Sequence, residues 1–244
     1  MDNLLIELKK LIPQLPQEEQ NRLSDDVLDK LHSIYPFNKF EYVISHLIAH
    51  KIISIQDYYN IRSSYLNRNK YLYIFEITAP RTFGENWAQR HLNEVVPELQ
   101  RPSTLLDPGY SGEYDFWYHG IKIEVKASRA VKRGSKETLI MKALSYGSPF
   151  GFDMNFQQLK PKCCHVFVWI GVWKDRIIYW VLSNADVVNN PHYSKGQHRG
   201  NTGEGQLWIK ESNIKEFTPY EVDVRNILNK IEQKYTESQQ MTSL

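Results

Sequence analysis

Cysteine is nearly absent from this 244-residue chain: the two present stand side by side, Cys163 and Cys164. No Cys or His lies at zinc-like spacing from them, so neither a disulfide framework nor a zinc module is expected, and they read as buried thiols. Long apolar runs are missing too. No stretch approaches the roughly 20 apolar residues that span a bilayer. The opening MDNLLIELKKLIPQLPQEEQ is broken by charges and prolines where a signal peptide needs a continuous apolar core, so a cytoplasmic protein without membrane contact is expected. Net charge is small, +2, too little for composition alone to announce a nucleic-acid binder. Internal repeats and low-complexity tracts are lacking, which excludes solenoids and biased linkers.

What is present is an ordinary globular composition, 41% hydrophobic, enough to bury a sizeable core. Charge placement says more than net charge. Basic residues crowd KASRAVKRGSK (126–136) and KGQHR (195–199), while acids gather near 17–30 and 211–222. Apolar residues at helical spacing (Leu4, Leu5, Leu8, Leu11, then Leu23, Val27, Leu28, Leu31) predict two helices separated by Pro13 and Pro16. A further helix from Phe40 to Ile48, a short break and a helix capped by Ser54 follow, with YLYIFEI (71–77) reading as a strand. Residues 1–78 are thus expected to be a mostly helical region compatible with a helix-turn-helix or winged-helix module.

Beyond a boundary near 78, Thr82 and Glu85 have capping-box spacing and open a helix that Pro97 stops. Leu105 and Leu106 are placed at the start of a strand, FDMNFQQLK in a small helix, CHVFVWIGVW (164–173) and IIYWVLS (177–183) in strands, and GEGQLWIK (203–210) in a late strand. A C-terminal helix covers 219–235, and 236–244 is expected to be disordered.

The most informative stretch is EYDFWYHGIKIEVKAS (113–128). A two-residue turn at His119-Gly120 pairs Tyr118 with Ile121, Phe116 with Ile123, Asp115 with Glu124 and Glu113 with Lys126. Alternation puts Glu124 and Lys126 on one face and Ile121, Ile123 and Val125 on the other. Two opposed carboxylates repel unless a cation lies between them. Oxygen donors without thiolate or imidazole suit Mg²⁺, with Lys126 placed to position or help deprotonate an attacking water. An edge hairpin with a charged outer face accounts for the same residues structurally.

Asp115 followed by Glu124-Val125-Lys126 on the next strand resembles the D-x(n)-E-x-K motif of the PD-(D/E)xK nuclease superfamily, and within it the type II restriction endonucleases. Tyr114 stands where the motif's name has proline. The resemblance covers roughly residues 80–210 and implies an α/β fold, a mixed central sheet flanked by helices, behind the N-terminal helical subdomain, in a nuclease domain of 79–235. It implies metal ligation by Asp115, Glu124 and the Val125 carbonyl, catalysis by these carboxylates with Lys126, a supporting helix carboxylate at Glu85, and a crossover helix carrying Gln157 and Gln158. It also implies Mg²⁺ as cofactor and double-stranded DNA as partner, a homodimer matching a palindromic site, and a cognate DNA methyltransferase in the same restriction-modification system. Arg129, Lys132, Arg133, Lys195, Gln197, His198, Arg199 and Asn201 are the expected DNA contacts. A repair or recombination nuclease of the same fold, and a non-enzymatic helix-turn-helix regulator, are the alternatives.

Overall fold

A computed structural model describes residues 4–28, 37–196 and 204–242. Five short helices come first: α1 (Leu4–Lys9), α2 (Gln17–Arg22), α3 (Asp25–Leu28), α4 (Phe37–Ala49) and α5 (Ile55–Arg68). They bury their own core, including Leu8, Leu28, Val43, Leu47 and Tyr65. Ser54 caps α5 as its spacing predicts, exchanging hydrogen bonds with Asp57 in a capping box. The strand expected at 71–77 is instead a 3₁₀ turn, Leu72–Glu76. Its Leu72, Ile74 and Phe75 join the core of the following sheet, where burial of three apolar side chains overrides strand propensity. No winged-helix strand is therefore made from this segment.

The remaining elements are α6 (Ala88–Val95), β1 (Phe116–Tyr118), β2 (Ile121–Arg129), β3 (Val131–Lys132), β4 (Phe152–Leu159), β5 (Val166–Val172), β6 (Ile177–Ser183), α7 (Asn184–Val188), β7 (Tyr193–Lys195), β8 (Gly205–Lys210), β9 (Glu221–Val222) and α8 (Ile227–Thr242). One sheet has the order β1-β2-β5-β6-β9 and the other β3-β4-β8-β7. In the first, β2 and β5 are parallel and the other neighbours antiparallel. The molecule is a mixed α/β protein with a mixed sheet.

The helices α6 and α8 cover one face of that sheet. Ala88 and Leu92 of α6 and Ile227 and Ile231 of α8 pack there with Ile121, Ile123, Val125, Val166 and Val168. The opposite face, with Phe167, Trp169 and Trp180, is covered by Phe152, Met154 and Phe156 of β4 and Leu207 and Ile209 of β8. The expected crossover helix at FDMNFQQLK is therefore a strand. Phe152, Met154 and Phe156 recur every second residue, which buries one side of an extended chain and would scatter around a helix.

Two smaller expectations also change. Leu105 and Leu106 lie in a turn closed by the Leu106 and Asp107 amides donating to the Ser103 carbonyl, 3.0 and 2.9 Å. The C-terminal helix runs on to Thr242, through most of the stretch expected to be disordered. Lys234 there pairs with Glu237 at 3.1 Å and with Asp186 of α7 at 3.2 Å, fastening the last turns to the body.

Candidate active site

The hairpin forms with the turn its sequence specifies. His119 and Gly120 have φ of 45° and 87°, the left-handed pair of a two-residue hairpin turn. Phe116 pairs with Ile123, Trp117 with Lys122 and Tyr118 with Ile121, as the register requires. Past Phe116 the ladder changes. The Asp115 amide donates to the Ile123 carbonyl at 3.0 Å, and the Asp115 carboxylate accepts the Val125 N–H at 2.8 Å. Asp115 is thus not a plain cross-strand partner of Glu124. Where the short strand β1 ends, Val125 N–H lacks a backbone acceptor on that side, and the carboxylate supplies one. A strand residue points its N–H and C=O to the same side, so the Val125 carbonyl also lies on the Asp115 side.

Glu113 likewise leaves the expected pair with Lys126 and turns to Ser111, accepting its N–H at 2.9 Å. Lys126 instead bonds Glu124 of its own strand at 2.7 Å. The two share a face, two residues apart, as alternation requires. Glu124 is only 7% exposed. Burial, then the Asp115 charge, push its pKa up to about 7, against the pull of Lys126. Burial also raises Asp115, with the Val125 amide, Lys126 and Arg101 working the other way and Glu85 adding to the rise. Burial opposes the charge on Lys126, but Glu124 outweighs it and the ammonium is held above its ordinary value. Cys164 is buried beside this group and its thiol is pushed well up, chiefly by burial, in keeping with an inert thiol.

The helical stretch before the hairpin contributes a residue that the sequence reading passed over. Thr82–Trp87 form a π-helical turn leading into α6. There is no Thr82 cap: Glu85 pairs with Arg81 at 2.7 Å, one turn back. One side of the helix carries Phe83, Trp87 and His91 at i, i+4, i+8, stacked ring on ring at 5.3 and 5.0 Å and ending on Tyr179. The other side carries Glu85 and Gln89. The Gln89 amide donates to Asp115, while its oxygen accepts from Arg101 at 2.5 Å. Gln89 lies four residues beyond Glu85, so the helical period that places Glu85 at the site also places Gln89 there.

These groups line one cleft of about 1140 Å³ that holds Glu85, Gln89, Asp115, Glu124 and Lys126 together. Arg129, Lys132 and Arg133 line it as well. Arg129 is held inward: its guanidinium donates to the Ile77 and Ile74 carbonyls at 2.6 and 3.2 Å and stacks on Phe83 at 4.1 Å. Burial pushes its pKa down to about 10. Arg133 is engaged by Asp153 and Glu211 at 3.0 and 2.7 Å. Lys132 lies over the Phe150 ring at 4.3 Å. Lys195 is exposed at the end of β7, and Gln197, His198, Arg199 and Asn201 lie outside the described residues. Gln157 and Gln158 line the cleft from β4 rather than from a helix.

Among the described residues no group of three or more His, Cys, Asp or Glu is gathered as a metal cage. The donors that do converge are two carboxylates and, on the same side, the Val125 carbonyl. They are all oxygens, as a hard divalent cation requires. Glu124 is buried, Asp115 half-buried, and both are raised, a situation that a cation between them would relieve. The site therefore fits an ion that keeps several waters rather than one enclosed by protein. No protein-family model, curated protein or solved structure matches the chain, so the chemistry of this cleft is read from its own residues.

Proposed function

We propose that the chain is a Mg²⁺-dependent type II restriction endonuclease with a PD-(D/E)xK-type core, hydrolysing phosphodiester bonds of double-stranded DNA at a short specific sequence. The observation that carries this reading is the grouping of Asp115, Glu124 and Lys126 in one cleft, with Glu124 buried, Asp115 half-buried and both carboxylates raised. Carboxylates raised by burial beside a charge partner in a cleft are what functional sites use. The cleft is larger than the roughly 300–1,000 Å³ of ordinary small-molecule pockets, and basic side chains stand along it, as a polyanionic strand requires.

In this reading Asp115, Glu124 and the Val125 carbonyl hold Mg²⁺, which when bound lowers the pKa of a water and offsets charge on the scissile phosphate. Gln89 fixes the Asp115 carboxylate from one side and the Val125 amide from the other. Lys126 stays protonated through Glu124 and acts as a hydrogen-bond donor to the attacking water or phosphate oxygen, not as the base. The water oxygen bonds to phosphorus and gives up its proton to bulk solvent, the bond to the departing sugar oxygen breaks, and that oxygen leaves with a proton from solvent. A homodimer would present two such clefts to a palindromic site. A methyltransferase of matching specificity would protect the host's own DNA.

Incubating the protein with plasmid DNA and Mg²⁺ tests the proposal. Discrete fragments mapping to one short sequence are expected. Cutting at lesions or junctions without sequence preference would indicate a repair or recombination nuclease with the same site. DNA binding without any cutting would favour a regulator built on α4 and α5.

A further inference from the structure

The second sheet buries one face and offers the other to the same cleft. Phe152, Met154, Phe156, Leu207 and Ile209 point into the core, so alternation turns Asp153, Asn155 and Gln157 of β4 and Gln206, Trp208 and Lys210 of β8 outward. Register sets Asp153 beside Lys210 and Asn155 beside Trp208. Asp153, Asn155, Gln157 and Trp208 line the cleft that holds Asp115, Glu124 and Lys126. This face is made mainly of carboxamides and an indole. Its one carboxylate, Asp153, is neutralised by Arg133 at 3.0 Å.

The neighbouring rim has a different chemistry. Residues 131–151 contain Lys132, Arg133, Lys136 and Lys142 against a single acid, Glu137, and Lys132 and Lys142 reach the cleft beside Arg133, whose charge is met by Asp153 and Glu211. Positive charge at the rim suits phosphates, which position a duplex without reporting its sequence. Carboxamides suit base edges, because each presents donors and an acceptor together and can form a bidentate pair with adenine. The Asn155 amide nitrogen donates to Gln206 Oε1 at 3.2 Å, while Asn155 Oδ1 is without a hydrogen-bond partner among the described residues. That oxygen is closed to solvent as the side chain stands and costly to leave unpaired, so turning the Asn155 amide toward the cleft would open it to a donor on a base edge.

We propose that the outer face of the β4–β8 pair, through Asn155, Gln157 and Trp208, is the surface that reads the base edges of the DNA substrate, an inference that rests on the nuclease reading of the adjoining cleft. The two amides make the directional contacts. Trp208 supplies apolar area against a base or thymine methyl, with Lys210 over its ring at 5.6 Å. β4 and β8 pack on β5 and β6, the strands of the sheet that also carries Glu124 and Lys126 on β2, so the distance from the bases read to the bond cut is set by the fold.

The test uses full-length wild type and the Asn155→Ala, Gln157→Ala and Trp208→Ala proteins. They are assayed on duplexes carrying the mapped cutting site or its single-base variants, with Mg²⁺ for cleavage and Ca²⁺ for binding. Each substitution is expected to lower the preference for the mapped site over at least one single-base variant by roughly 5- to 150-fold. Affinity for unrelated DNA at low salt should be unchanged. Asn155→Gln and Gln157→Asn keep the amide but shift it by one methylene, and should alter preference while melting as wild type does. Wild-type preference in all these proteins overturns the inference and leaves the nuclease reading intact. So does an equal loss on every duplex, which would mean phosphate contact or a structural role. Failure of the wild type to cut any DNA overturns both.

Discussion

Glu124 is a carboxylate with an ordinary pKa of 4.5 raised to about 7 in the folded chain. Between those values the native state holds more protons than the unfolded one, so stability falls as pH rises through this window. The deficit is fully present above pH 7 and amounts to about 3 kcal/mol. Asp115 is raised too and acts in the same direction. A divalent cation binding the ionised pair opposes this loss. Thermal melts of the metal-free protein should therefore drop from pH 5 to pH 8, and added Mg²⁺ should raise the melting temperature more at pH 8 than at pH 5. Equal Mg²⁺ effects at both pH values would argue against these carboxylates as its ligands. At this scale Glu124 and Lys126 were legible because strand alternation puts them on one face, whereas Asp115 reaches the same cleft through the Val125 amide and not as the cross-strand partner the turn implied. Gln89 was not singled out, since a glutamine on an amphipathic helix looks like surface until the carboxylate it holds is seen. The expected Glu113–Lys126 pair failed because Asp115 leaves the ladder to satisfy the Val125 amide, an accounting that side-chain alternation does not include.

The elements show where local pattern suffices and where it does not. The β1–β2 turn is read from two residues, and Gly120 at φ 87° is the position that needs glycine. A Cβ there would meet nothing within 4 Å, so Gly120→Ala should cost only the backbone strain, about 1 kcal/mol. Gly171 of β5 differs: a Cβ there would lie 2.5 Å from the Trp180 ring and 3.1 Å from Trp173. Gly171→Ala should destabilise by overpacking, about 1–3 kcal/mol. Urea unfolding of both proteins, compared with wild type, measures the difference; a larger loss at Gly120 would contradict the packing described. β4 was expected as a small helix, first from the sequence pattern and again as the crossover helix that the nuclease resemblance implies. Its own alternation of Phe152, Met154 and Phe156 argues for the strand that forms. The 3₁₀ turn at Leu72–Glu76 was not readable, since its conformation depends on a sheet core made by residues far along the chain.

For the whole molecule, one core joins α6, α8 and the mixed sheet, a second joins the two sheets, and a third belongs to the N-terminal helices. The mixed α/β class came from the nuclease resemblance, beside a run of helices and strands legible in the sequence. The second sheet facing the first was not legible, because β7 and β8 find β4 across more than thirty residues of chain. That arrangement creates the cleft, with the carboxylates from the first sheet on one side and the amides of the second on the other. The claim that this cleft hydrolyses DNA is tested most directly by Lys126→Ala and Asp115→Asn in single-turnover cleavage, with duplex binding measured alongside in Ca²⁺. Cutting should fall by at least about 100-fold while the Lys126→Ala protein still binds DNA. Wild-type cutting rates in both proteins would contradict the account.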